Sequence, residues 1–183
     1  MTKLPQQAQA VIIGGGVVGC SVAYHLTKLG WTDVVLLERK QLTCGTTWHA
    51  AGLIAQLRAT QNMTRLAKYS QELYFSLEDE TGVATGIKRN GSITVALTEE
   101  RMEELRRSAA MARAFGVEID EIPTDEIARL YPGLKVDDAV GGVWLPKDGQ
   151  GDPVNITQAL AKGARMRGAN IIQGVKVTGV TVE

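Results

Sequence analysis

The stretch Ala10-Val11-Ile12-Ile13-Gly14-Gly15-Gly16-Val17-Val18-Gly19 decides the fold. Four apolar residues running into glycines fit a short, buried strand of a parallel sheet. Gly14, Gly16 and Gly19 then fall on the pattern G-x-G-x-x-G. The first glycine permits a tight turn, the second lets the backbone approach a pyrophosphate, and the third lets helix and strand pack closely. Beyond them Val18, Val22, Ala23, Leu26 and Leu29 recur at helical spacing until Gly30 stops the helix. Val34-Val35-Leu36-Leu37 reads as a second buried strand ending at Glu38, nineteen residues after Gly19. The result is a strand-helix-strand unit, expected to be parallel with a right-handed crossover. Its helix N-terminus offers unpaired N–H groups and a partial positive charge to phosphates. Glu38 is placed to accept hydrogen bonds from ribose hydroxyls, and its charge disfavours a 2′-phosphate. FAD and NAD both satisfy the fingerprint.

The remaining punctuation extends this frame. Met63, Leu66, Ala67, Ser70, Leu73, Tyr74 and Leu77 mark one face of a long amphipathic helix closing near Gly82. Ser92 to Leu97 alternates as a half-exposed strand, and Thr98 is placed as the N-cap of a helix running to about Phe115. Val117 to Ile122 reads as a strand, Thr124 to Leu130 as a short helix halted before Pro132, and Ala139 to Leu145 as another strand. Asp152-Pro153 opens a helix reaching about Arg167, and Asn170 to Val182 reads as one or two further strands. The fold class is α/β: a Rossmann-like parallel sheet with part of an inserted β-rich domain. The expected divisions are 1–82 for the dinucleotide-binding part, 83–150 for part of the inserted domain, and 151–183 for the return to the first. A parallel sheet needs more strands than this, so the chain is expected to be a truncated flavoprotein.

Composition excludes other classes. Twenty basic and 20 acidic side chains among 183 residues cancel, which leaves no cationic footprint for nucleic acid or an anionic membrane surface. The charge-free stretch from Leu4 to Thr27 is interrupted by Gly14, Gly15, Gly16 and Gly19, so no membrane span is expected. The leader from Met1 to Gln9 is short and polar, without a signal-peptide pattern or arginine, and a cytoplasmic location is expected. Cys20 and Cys44 make neither a disulfide framework nor a metal pattern, and no metal site is expected. His25 in the first helix reads as structural.

The segment Leu42-Thr43-Cys44-Gly45-Thr46-Thr47-Trp48-His49-Ala50-Ala51-Gly52-Leu53 follows the ribose-binding strand. Its small residues and hydroxyls suit the lining of a flat cofactor, with Thr46 and Thr47 reaching phosphates or ring. A glycine-rich surface loop holding one histidine is the plainer alternative.

Together, the fingerprint, Leu37-Glu38-Arg39, the run from Gly45 to Leu53 and Lys147-Asp148-Gly149-Gln150-Gly151-Asp152-Pro153 resemble the dimethylglycine and sarcosine dehydrogenase family. That family lies within the D-amino-acid-oxidase-like flavoproteins. The likeness spans the whole chain and matches roughly the N-terminal quarter to fifth of a full-length member. The Thr-Trp-His-Ala-Ala-Gly stretch is its most specific part, and Cys44 is a small departure where many relatives have alanine.

The resemblance implies FAD as cofactor, attached covalently to His49 through the 8α carbon of the isoalloxazine ring. It implies FAD contacts at Gly14, Gly16, Val17, Val18, Gly19, Glu38 and Arg39. Further contacts fall on Gly45, Thr46, Thr47, Trp48, His49, Ala50, Ala51, Gly52 and Leu53, and a backbone contact near Val177. The implied activity is oxidation of the N-methyl group of a small amino acid of the sarcosine or dimethylglycine class, by hydride transfer to flavin. Tetrahydrofolate is the implied one-carbon acceptor in members that bind it. The electron acceptor is not specified. Arg58 and Arg89 are available for a substrate carboxylate, although each also reads as a solvated charge; catalytic residues are not assigned. The alternatives are another amine or amino-acid oxidase of the superfamily, a non-catalytic regulatory subunit on the same fold, and an NAD-dependent dehydrogenase, against which the His49 loop speaks.

Overall fold

A computed structural model describes residues 4–182. In chain order the elements are β1 (Ala10–Ile13), α1 (Val17–Lys28), β2 (Val34–Glu38), a 3₁₀ turn (Thr47–His49), β3 (Leu53–Ile54), α2 (Gln61–Thr81), β4 (Ser92–Ala96), α3 (Glu99–Ala114), β5 (Asp120–Ile122), α4 (Thr124–Leu130), β6 (Gly141–Leu145), β7 (Gly149–Gln150), α5 (Pro153–Met166) and β8 (Asn170–Gln173). They gather into two compact units, one built from Met1–Gly52, Leu73–Ile87 and Gly151–Glu183, the other from Leu53–Glu72 and Lys88–Gln150. The chain passes between them inside α2, at Glu72 and Leu73.

The first unit carries a parallel sheet of order β1-β2-β8, with Ile12 opposite Leu36 and Leu36 opposite Ile171. Its central strand β2 buries Val34, Val35 and Leu36, which explains the uninterrupted apolar run: both sides of a parallel strand are covered. α1 packs on α5 through small buried residues, among them Cys20 and Ala23 on one helix and Ala159, Gly163 and Ala164 on the other. Gly163 is needed there, because a Cβ would lie 2.8 Å from the fully buried Tyr24 ring. The Tyr24 hydroxyl donates to Glu80 Oε2 at 2.6 Å, and Arg167 donates to Glu80 Oε1 at 2.6 Å. Burial, reinforced by the Glu80 carboxylate, pushes the Tyr24 hydroxyl up to about 12 and keeps it a donor at neutral pH. One carboxylate on α2 thus holds α1 and the end of α5 together. Asp152 caps α5 as expected, accepting from the N–H groups of Val154 at 2.8 Å and Asn155 at 3.0 Å.

In the second unit β4, β6 and β5 form an antiparallel sheet with β6 in the middle. Met102, Leu105, Ala109 and Ala112 of α3 close a core with Ala96, Val117, Ile119, Val143 and Leu145. Thr98 caps α3 by accepting from Arg101 N–H at 3.2 Å. Two expected strands are shorter than their apolar patterns. Val117 and Ile119 are buried, yet pairing with β6 begins only at Asp120, so burial without a ladder produced the longer reading. β6 likewise starts at Gly141, not Ala139.

In the first unit, the expected strand content of 170–182 reduces to β8. Gly174, at φ +77°, turns the chain out of the ladder, and Val175 N–H donates instead to Glu38 O at 2.9 Å. In the second unit, the two-residue ribbon of β3 and β7 has no counterpart in the sequence reading. It is secured by the buried Asp148, which accepts from Gln56 N–H at 2.9 Å and Ser92 Oγ at 2.7 Å. Among the described residues no helix is long and apolar enough to cross a membrane.

Leu160, fully buried on α5, tests the packing of the first unit. Leu160→Ala is expected to cost about 2–5 kcal/mol of unfolding free energy, read from urea denaturation followed by far-UV circular dichroism.

Candidate functional site

Four groups meet where β1 gives way to α1. Gly14 adopts φ +109°, a conformation open to glycine, and its N–H donates to Leu37 O at 2.9 Å. Gly19 has no room for a side chain, since a Cβ would sit 2.0 Å from Gly14 O. That close approach brings the first turn of α1 down onto the strand end. Gly16 occupies the N-cap without a side-chain bond, and the first turn of α1 carries no acidic residue. The positive end of a 12-residue helix is therefore left uncompensated by its own sequence.

Glu38 closes β2 with its carboxylate buried, at 7% exposure. Its Oε2 accepts from Gly15 N–H at 2.7 Å and its Oε1 from Lys40 N–H at 2.8 Å, with Cys44 Sγ at 3.7 Å. Burial alone raises a carboxyl pKa, but these N–H donors outweigh it and hold Glu38 below the ordinary glutamate range. The group is thus an ionised acceptor at neutral pH, with lone pairs beyond the two used by the backbone.

The loop after β2 is tied to the same turn. Thr43, the one non-glycine residue at positive φ (71°) among those described, donates its N–H to Gly15 O at 2.9 Å. Leu42 N–H donates to Gln173 Oε1 at 2.7 Å, which joins the loop to β8. Thr47 Oγ1 accepts from Val17 N–H at 3.0 Å, across 30 residues of sequence. His49 N–H then donates to Thr46 O at 3.1 Å and Ala50 N–H to Thr47 O at 3.2 Å, closing the turn. The loop leaves through Gly52, at φ +76°, whose carbonyl accepts from Gly151 N–H at 2.9 Å.

Around these groups lies a groove of about 690 Å³, a volume suited to a cofactor. Of the residues singled out from sequence, Gly14, Gly16, Val17, Val18, Gly19, Glu38, Arg39, Gly45, Thr46, Thr47 and Ala50 line it. Ile13, Val18 and Val22 present exposed apolar surface there, at 58%, 74% and 43% exposure. Trp48, His49, Ala51 and Gly52 do not line it. Trp48 and His49 stand exposed on the 3₁₀ turn, their ring centroids 3.9 Å apart. Leu53 opens β3 in the second unit, and half-buried Val177 follows two residues after the Val175 bond to β2. Arg58 turns its guanidinium to Leu57 O at 2.7 Å. His25 Nδ1 lies 2.7 Å from Ser21 O, within its own helix, in keeping with a structural role. Burial pushes the Cys20 thiol up to about 11, so it is inert at neutral pH.

Two bonds of the site escaped the sequence reading. Gln173 bears no local signal of its bond to Leu42. The bond of Thr47 to Val17 had a faint one, because a helix opening on Gly16 needs an acceptor from elsewhere.

Comparison with known proteins gives a consistent picture. Residues 9–183 match the family described as FAD dependent oxidoreductase (DAO). The chain is 42% identical over 180 residues to human mitochondrial sarcosine dehydrogenase, covering 98% of this chain and 20% of that protein. It is 42% identical over 174 residues to rat mitochondrial dimethylglycine dehydrogenase, covering 95% of the chain and 20% of the relative. It is also 40% identical over 180 residues to the mouse mitochondrial pyruvate dehydrogenase phosphatase regulatory subunit, covering 98% and 20%. Among solved structures, L-proline dehydrogenase from P. horikoshii superposes with a TM-score of 0.92 at 29% identity, over 98% of this chain and 47% of that one. The chain thus spans about a fifth of the length of these curated relatives.

Glu38→Gln probes the site without a ligand. The depressed native pKa means that the carboxylate stabilises the fold above the unfolded value of about 4.3 and loses that contribution as pH falls through the native value. The variant is expected to be less stable by about 1–3 kcal/mol near neutrality. Urea midpoints of the two proteins are expected to converge as pH falls below the unfolded value of about 4.3 and through the lower native value.

Proposed function

The chain belongs to the FAD-dependent oxidoreductase family, and from that premise we propose that its first unit holds FAD and serves oxidation of the N-methyl group of a small amino acid. The observation that carries the reading is the pairing of a glycine-lined helix N-terminus with a buried, ionised Glu38 at the end of the neighbouring strand. The residues fit a dinucleotide. A Cβ at Gly14 or Gly45 would meet nothing within 4 Å, so the backbone there borders open groove. First-turn N–H groups of α1 suit a diphosphate, and the acceptor oxygens of Glu38 suit vicinal hydroxyls of a ribose. Arg39 adds a cation beside the groove.

When bound, flavin supplies a two-electron acceptor for the hydride equivalent that leaves the N-methyl carbon. The residues of this chain bind and orient. Gly14 to Gly19 place the helix terminus, Glu38 fixes the adenosine side, and the Gly45 to Gly52 loop frames the flavin side. His49 is our candidate for covalent attachment. Its imidazole is solvent-exposed and stands on a turn joined by Thr47 to the dinucleotide helix. The N-methyl amino acid class is supported by 42% identity to proteins named sarcosine and dimethylglycine dehydrogenase. In the whole protein we read the one-carbon product as formaldehyde, or as passed to tetrahydrofolate. The first unit is on this reading the FAD-binding domain and the second part of a substrate domain. A cytoplasmic location stays part of this proposal, whereas the mammalian relatives are named mitochondrial.

A second reading is favoured by one observation, the 40% identity to a phosphatase regulatory subunit. On that reading the fold binds a partner and turns nothing over. Turnover of sarcosine and dimethylglycine with an artificial electron acceptor separates the two. Demethylation supports the enzyme; flavin-loaded protein that leaves both amines intact contradicts it.

The attachment residue has its own test. On denaturing electrophoresis, yellow flavin fluorescence is expected to travel with the protein band and to vanish in His49→Ala. Fluorescence that persists in the variant, or is absent from the parent, refutes the linkage.

A further inference from the structure

The cap on the dinucleotide helix and the turn that carries His49 share one side chain. α1 begins at Gly16, which has no side chain to accept a first-turn N–H. The acceptor comes instead from Thr47, whose Oγ1 takes Val17 N–H at 3.0 Å. Thr47 is buried, at 8% exposure, and is also the first residue of the 3₁₀ turn Thr47–His49. The approach is close enough that a Cβ on Gly16 would sit 3.0 Å from that hydroxyl oxygen. At its other end the loop is anchored by Gly52, where a Cβ would meet Gly151 O at 2.2 Å. Between the anchors the side chains of Trp48 and His49 are exposed. The orientation of His49 therefore depends on backbone anchored two residues before it and three residues after it.

From this we infer that Thr47 is a positioning residue: its hydroxyl couples the dinucleotide-binding end of α1 to the turn that presents His49, so that attachment of flavin at His49 depends on the Thr47–Val17 hydrogen bond. The inference rests on the proposed attachment at His49. It adds to the sequence expectation that Thr47 reaches the phosphates, because the oxygen that accepts Val17 N–H still carries a hydroxyl proton to donate. A direct phosphate ligand governs how tightly FAD is held. A positioning residue governs how fast bound FAD becomes attached.

Thr47→Val keeps the shape of the side chain and removes the acceptor, while Thr47→Ser keeps the acceptor and removes a methyl group. In apoprotein reconstituted with saturating FAD, the rate of acid-stable flavin incorporation is expected to fall at least about tenfold in Thr47→Val, equivalent to one lost hydrogen bond. In Thr47→Ser it is expected to stay within about threefold of the parent, because the acceptor is retained. A serine variant as slow as the valine variant overturns the inference, and so does a valine variant that attaches flavin at the parent rate once FAD is saturating.

Hydrogen exchange at the Val17 amide supplies a readout independent of flavin chemistry. It is expected to quicken about tenfold in Thr47→Val and not in Thr47→Ser. Unchanged exchange in both overturns the coupling. Absence of covalent flavin from the parent contradicts the His49 attachment, and the exchange measurement still decides whether Thr47 holds the turn. Should Thr47→Val fail to fold, Thr47→Ala, which also removes the acceptor, carries both measurements with the same expected and overturning results.

Discussion

The hydrogen bond from Gly15 N–H to the buried carboxylate of Glu38 joins the two halves of the candidate site. It fixes the glycine turn after β1 against the end of β2, and with the Lys40 N–H it holds the carboxyl below the ordinary glutamate range against the opposing effect of burial. The other features of the site hang on that junction. Thr43 donates to Gly15 O, and Lys40 and Cys44 surround the second carboxylate oxygen. A neutral or shorter side chain at position 38 would leave buried N–H groups without a full acceptor, and the turn would lose its reference point.

The two units meet their polar demands in different ways. In the first, charged and phenolic groups of Tyr24, Glu80 and Arg167 converge around one carboxylate between helices. In the second, Asp148, Gln71, Gln56 and Ser92 satisfy backbone and one another at the base of a two-residue ribbon. Such networks rigidify when every member is bonded. Among the described residues no buried side-chain N or O lacks a partner.

Much of this was legible from sequence, for physical reasons. β1, α1 and β2 follow from an apolar run, a helical period and glycines that only a tight turn explains, and the caps at Thr98 and Asp152 announce α3 and α5. Where burial and pairing part company the reading overran, as at Val117 and Ile119, which are apolar because they are packed and not because they lie in a ladder. The β3 and β7 ribbon escaped because two residues carry no period. In the site, the glycines and Glu38 could be read because their chemistry is local. The role of Thr47 could not, since its partner lies 30 residues away, and neither could the outward stance of Trp48 and His49.

A crystal structure of the protein grown with FAD tests the central claim most directly. The account predicts diphosphate density against the N–H groups at the start of α1 and ribose hydroxyls within hydrogen-bonding distance of Glu38. Adenosine density elsewhere on the protein, or an empty groove at saturating FAD, would contradict it.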